Sequence, residues 1–165
     1  MVGRPTLDEY FMEIARVVSK RSTCLRHKNG AVLVRGNHII STGYNGAPRG
    51  LPHCEEVGCL REQNNIPSGE RHELCRGAHA EANTIVQAAL HGISTEGSTM
   101  YSTHQPCSFC AKLIINAGIR EVVYVFPYPD KLALELLENA GIRLRQYRSV
   151  VSESLNSGAE RVSLK

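Results

Sequence analysis

Two short runs hold the side chains able to do chemistry. His79-Ala80-Glu81 supplies an imidazole and, two residues on, a carboxylate. Pro106-Cys107-Ser108-Phe109-Cys110 supplies two thiols three residues apart. An i, i+3 spacing puts both thiols on one face of a helix, and a helix N-terminus favours the thiolate form. One His and two Cys give a tetrahedral zinc three ligands and leave the fourth position open, as catalytic zinc requires. Zinc so held brings water to a pKa of about 7. Glu81 sits about 200° round a helix from His79. It need not ligate and is free to move protons. A Cys-x-x-Cys pair alone also fits a structural zinc or a redox pair. The carboxylate argues for catalysis, because a closed structural site has no use for it.

Something must hold these runs together. The chain has 165 residues, 42% hydrophobic and 21% charged, which suits a single globular domain over 1–165 with its core at about 6–147. The net charge of +3 permits a phosphorylated ligand but gives no footprint for a large nucleic-acid surface. No apolar run reaches the ~20 residues of a membrane span, and Met1 to Pro5 carries no apolar signal-peptide core. A cytoplasmic protein is expected, with its six cysteines as metal ligands or free thiols rather than disulfides.

Thr6-Leu7-Asp8-Glu9 reads as a capping box opening a helix over residues 7–19. Ala31 to Val34 and His38 to Tyr44 read as a hairpin around Gly36-Asn37. Residues 47–78 lose regularity through repeated Pro and Gly. Helices are predicted over 79–91, 106–117 and 130–140, and strands over 98–102, 121–126 and 142–147. Helices between the last strands force crossovers, so those strands are parallel. The order predicts a three-layer α/β/α fold around a mixed five-stranded sheet. The tail over 149–165 shows little periodicity.

His-x-Glu with Pro-Cys-x-x-Cys in this context is the signature of zinc deaminases. The chain resembles the deoxycytidylate (dCMP) deaminases of the cytidine/deoxycytidylate deaminase superfamily over about residues 6–147. Ser22-Thr23-Cys24, Gly30-Ala31, Ser41 to Gly46, His53-Cys54, Gly58-Cys59-Leu60, the two runs above and the stretch from Tyr124 to Tyr128 carry the likeness. It departs at Leu90, where relatives often have a basic residue. The resemblance implies that His79, Cys107 and Cys110 hold zinc while Glu81 passes protons to a pyrimidine ring nitrogen and then to the leaving amine. dCMP would become dUMP, the precursor of thymidylate, with release of ammonia. It further implies that Asn45 contacts the sugar, and that Gly43, Tyr44, Asn45 and Gly46 take part in regulation by dCTP and dTTP. Homo-oligomers, often hexamers, are implied as well.

Four further cysteines lie in or near the irregular segment. The resemblance implies a second, non-catalytic zinc there, with Cys24, Cys54, His72 and Cys75 as its ligands and Cys59 as the alternative. A closed four-ligand site would explain how so long a segment stays ordered. Buried free thiols are the competing explanation. A phosphate needs cations or hydrogen-bond donors; Arg26 and Lys28, just before the hairpin, and Tyr128, after the fourth strand, are the candidates. The competing functions are a tRNA adenosine deaminase, a free-cytidine deaminase and a zinc-stabilised binding module.

Overall fold

The computed structural model describes residues 3–148; the expectation for the tail over 149–165 lies outside the described residues. The chain opens with α1 (Leu7–Ser19). The capping box forms as expected: Glu9 N–H donates to Thr6 Oγ1 at 3.2 Å and Thr6 N–H to Glu9 Oε2 at 2.7 Å. Strands β1 (Gly30–Arg35) and β2 (His38–Tyr44) follow as an antiparallel hairpin. Its turn places Gly36 and Asn37 at φ of 56° and 64°, the left-handed conformations of a two-residue hairpin. After a long connection come α4 (Ala80–Leu90), β3 (Thr99–His104), α5 (Ser108–Asn116), β4 (Glu121–Phe126), α6 (Lys131–Asn139) and β5 (Arg143–Gln146). The connection is less irregular than its composition predicts. It holds two four-residue helices, α2 (Cys54–Val57) and α3 (Leu60–Gln63), and a 3-10 turn at His72–Leu74.

The five strands form one mixed sheet in the order β2-β1-β3-β4-β5, with β3, β4 and β5 parallel. Alternate residues of each strand face opposite layers. Val32, Val34, Tyr101 and Val123 pack with Phe11, Met12 and Ala15 of α1. Ala31, Leu33, Met100 and Val122 pack with residues of α4, α5 and α6, among them Ala80, Ile114 and Leu137. Each fully buried Leu, Ile or Met contributes about 1.5–3 kcal/mol. The three-layer expectation therefore holds, with α1 alone on one face.

Two local features fix the frame. Gly43 lies where a Cβ would meet Thr84 N at 2.4 Å and Ala80 O at 2.7 Å, so the lack of a side chain lets β2 approach the backbone of α4. On the α1 face, Asp8 accepts from Tyr101 Oη at 2.8 Å and from Arg145 Nη2 at 3.1 Å, tying α1 to β3 and β5. Among the described residues, no helix is long and apolar enough to cross a membrane.

Candidate metal centre

The two helices that carry the ligand runs start later than the spacing predicts, α4 by one residue and α5 by two. His79 is the N-cap of α4, with an extended backbone at φ −73° and ψ 156°, and Cys107 is the N-cap of α5, at −78° and 170°. An N-cap side chain usually accepts from the first turn of its helix. Neither of these does so; instead, the two face each other. His79 Nδ1 lies 3.4 Å from Cys107 Sγ and 3.5 Å from Cys110 Sγ. The three ligand atoms fall within 4.8 Å of one another. Tetrahedral zinc at ordinary bond lengths sets N and S ligand atoms about 3.5 Å apart, so this donor set fits zinc.

Backbone contacts hold both N-termini. Gly46 N–H donates to Ala78 O at 3.2 Å and Ala78 N–H to Gly46 O at 2.9 Å, pinning the residue before His79 to the end of β2. Asp130 caps α6 through Ala133 N–H at 2.9 Å and also accepts from Ser108 N–H at 2.7 Å, which anchors the first turn of α5.

The second nitrogen of His79 is also occupied. Its Nε2 lies 3.2 Å from His72 Nδ1, and His72 Nε2 lies 3.0 Å from both Gly69 O and Tyr128 Oη. A carbonyl only accepts, so His72 carries its proton on Nε2, and burial favours its neutral form. His72 Nδ1 then accepts from His79 Nε2–H. That leaves the lone pair of His79 Nδ1 facing the thiols, the tautomer a metal ligand needs.

The Cys107 thiol is pushed down to about 4, first by the S–H of Cys110 donating to it and then by His79. The Cys110 thiol is pushed up, because it is that donor and because it is buried. Glu81 is buried, and burial raises its carboxyl above the usual range. Its oxygens lie 3.4 Å from Ser102 Oγ and 3.7 Å from Cys110 Sγ. Because His79 stands outside the helix, Glu81 reaches the same centre rather than pointing away round a helix.

A cavity of about 360 Å³ opens beside this centre, walled in part by Arg26, Asn45, His72, Glu81 and Tyr128. Asn45 is buried and spans the loop before β1: its Nδ2 donates to His27 O at 2.8 Å and its Oδ1 accepts from Asn29 N–H at 2.8 Å. Gly46 also lines the cavity, whereas Gly43 packs on α4 and Tyr44 lies at the surface. Lys28 is exposed and pairs with Glu55 at 3.8 Å, outside the cavity lining. Cys24, Cys54, Cys59 and Cys75 all border the cavity, and burial together with the other three thiols raises Cys54. Among the described residues no second metal-binding group of three or more such side chains closes to ligand distances. His72 belongs to His79 rather than to the thiols. Sequence reasoning missed Arg61, which is 7% exposed on the cavity wall. Nothing in its local sequence marks an arginine for burial.

A histidine and two cysteines at paired helix N-termini, with a buried carboxylate beside them on an α/β/α sandwich, form the donor set of a zinc site with an open fourth position. The chain matches the family model for the cytidine and deoxycytidylate deaminase zinc-binding region over residues 5–126, and it belongs to that family. It is 42% identical over 145 residues to the deoxycytidylate deaminase of Schizosaccharomyces pombe, a match covering 87% of this chain and 45% of that protein. The chain thus spans about half the length of that relative. It is 39% identical over 144 residues to ComE operon protein 2 of Bacillus subtilis, covering 87% and 72%. The dCMP deaminase of cyanophage S-TIM5, solved in complex with dCMP and dUMP, superposes with a TM-score of 0.74 at 29% identity, covering 88% of this chain and 99% of that one.

Proposed function

We propose that the chain catalyses hydrolytic deamination of dCMP, converting dCMP and water to dUMP and ammonia. The observation that carries this reading is the Glu81 carboxylate, buried and 3.7 Å from Cys110 Sγ beside a cavity of about 360 Å³. His79, Cys107 and Cys110 would hold zinc. When bound, zinc supplies a hydroxide nucleophile near neutral pH, by lowering the pKa of water to about 7. Glu81 does the proton work. Burial raises its proton affinity, so it takes the proton given up by water, passes it to the ring nitrogen next to the attacked carbon, and then carries the proton of the newly added hydroxyl to the departing amine, leaving a carbonyl. His72 Nδ1 accepts from His79 Nε2–H and so holds His79 in the ligating tautomer.

The dCMP substrate of this reading is supported by the phage relative's bound nucleotides and by the deaminase names of the relatives. The ammonia assay over dCMP, cytidine, dCTP and tRNA tests it. Release fastest from dCMP is expected; release from tRNA alone would overturn the reading.

The reading includes a second, structural zinc. Its ligands would come from Cys24, Cys54 and Cys75, with Cys59 as the alternative to His72, whose Nδ1 faces His79. Metal analysis of the purified protein is expected to give two zinc per chain; a value near one overturns it. It also includes a homo-oligomer, supported by the exposed apolar side chains of Val86, Leu90 and Phe109 on neighbouring α4 and α5. Six free thiols fit a reducing, cytoplasmic setting.

A further inference from the structure

Ser102 carries a fully buried hydroxyl on β3, the central strand of the sheet. Its place is set from both sides, by Ala31 of β1 and Tyr124 of β4. A buried hydroxyl is costly unless it finds a partner. Ser22, Ser41, Thr84 and Ser98, buried likewise, each donate to a main-chain carbonyl and so serve the frame. Ser102 Oγ instead has one partner among the described residues, Glu81 Oε1 at 3.4 Å.

The two oxygens of Glu81 therefore face different neighbours. Oε1 meets Ser102 on the sheet, and Oε2 lies 3.7 Å from Cys110 Sγ, on the side of the metal centre. The Cys110 contact exists only while that thiol keeps its proton. A cysteine that ligates a metal is a thiolate and has nothing to donate. Among the described residues, Ser102 is then the side chain left to hold the carboxylate. At 3.4 Å the contact is long for an O–H donating to oxygen. Catalytic hydrogen bonds are often long before a site is filled and tighten afterwards. Ser102 stands outside the cavity lining, so its effect on the reaction runs through Glu81 rather than through substrate.

We propose that Ser102 is the positioning residue of the proton shuttle: it anchors Glu81 Oε1 and leaves Oε2 as the oxygen that carries the proton. The inference rests on the deamination reading above. Glu81 alternates between carboxylate and acid within each turnover. A neutral hydroxyl can donate to Oε1 in both states, because the proton taken up sits on Oε2. The last torsion of a glutamate is broad and roughly two-fold. Without the anchor the carboxyl would turn and present either oxygen to the reacting atoms.

The test compares Ser102→Thr with Ser102→Val, two side chains of nearly the same shape that differ in the hydroxyl, in the full chain loaded with zinc. In Ser102→Val, kcat for ammonia release from dCMP should fall about 10-fold or more, with KM and zinc content near those of wild type. Ser102→Thr should keep kcat within about 3-fold of wild type. Equal losses in the two variants would assign Ser102 to packing alone and overturn the proposal, as would wild-type turnover in Ser102→Val. In a Glu81→Gln background, Ser102→Val should change the residual rate by less than about 2-fold, because the group it positions is gone. An undiminished loss there overturns the proposal as well. Should both branched side chains fail to fold, Ser102→Ala takes the place of Ser102→Val and is judged by the same split between kcat and KM.

Should the wild-type chain release no ammonia from dCMP, the dCMP reading fails on its own, and the same comparison is made on whichever of cytidine, dCTP or tRNA it deaminates. Should it deaminate none of them, the zinc-loaded chain is unfolded by denaturant in a double-mutant cycle of Ser102→Ala and Glu81→Ala. Unfolding constants coupled by about 3-fold or more support the pairing of Ser102 with Glu81, and additive effects overturn it.

Discussion

His79 and Cys107 take their places from the sheet. The end of β2 pins the peptide before His79, β3 runs directly into Cys107, and both residues cap helices whose inner faces are fully buried. Arg26 and Arg61 take theirs from single hydrogen bonds to the carbonyls of Ile66 and Pro67, and His72 from Gly69 O, Tyr128 Oη and His79 itself, around a segment whose longest helix is four residues. The first region is held by many cooperative contacts. The second depends on a few polar ones, each worth about 1 kcal/mol net. The candidate metal centre sits on the rigid part, and much of the cavity wall on the adjustable part. A scaffold of this kind can keep one reaction while its substrate changes.

The largest expected effect tests the rigid side alone. Glu81→Gln keeps the shape and removes the proton carrier. Ammonia release should fall by about 10³-fold or more while zinc content stays that of wild type. Retained activity would mean that the carboxylate is not the shuttle, and the division of labour between the two regions would lose its basis.

His72→Ala asks whether the two regions are separable. His72 lies on the adjustable segment but hydrogen-bonds the ligand on the rigid side. Zinc affinity should fall by about 10–100-fold, read by competition with a chelator, with secondary structure intact. Wild-type affinity would show that the sheet alone orients His79. Tyr128→Phe removes only the second partner of His72 Nε2, which keeps Gly69 O, so its effect should be smaller.

The same contrast explains what the sequence made legible. α1, β2 and β4 were readable to the residue, because capping, hairpin and alternation signals are local. The cluster of His79, Cys107 and Cys110 was readable from spacing. The later start of α4, by one residue, and of α5, by two, was not, because the N-cap assignment depends on where the preceding segment delivers the chain. Arg61 and the partner of His72 were unreadable for a different reason. Their roles arise from contacts between residues whose bonds span positions 26 to 128 across an irregular segment, and no periodicity encodes those contacts. Lys28 shows the converse error: a basic residue beside Arg26 in sequence turns outward to Glu55.

Gly43→Ala perturbs the rigid side without touching a reacting group. The new Cβ would meet the Thr84 and Ala80 backbone, so β2 and α4 must separate. Destabilisation of about 1–3 kcal/mol is expected in denaturant unfolding, with a loss of turnover as His79 and Glu81 shift together. Asn64→Ala, on the exposed face of the adjustable segment, should lie within about 0.5 kcal/mol of wild type. Equal costs for the two would erase the contrast.

The smallest effect concerns the far face, where stability should separate from chemistry altogether. The Arg145 guanidinium holds the Asp8 carboxyl below its usual value, with Tyr101 Oη assisting against the opposing effect of burial. A carboxylate whose folded pKa is depressed contributes stability fully above its unfolded value, about 3.9, and loses it as pH falls through the lower folded value. Asp8→Asn should therefore cost about 1 kcal/mol at neutral pH, given the partial exposure of the pair. The melting temperature of the wild type should drop more steeply than that of the variant as pH falls below about 4. Zinc content and turnover at neutral pH should not change, because Asp8 lies on the α1 side of the sheet and the metal centre at the N-termini of α4 and α5. A variant that lost zinc would mean that the α1 face bears on the ligands through the sheet, and the rigid region would then extend across the whole domain.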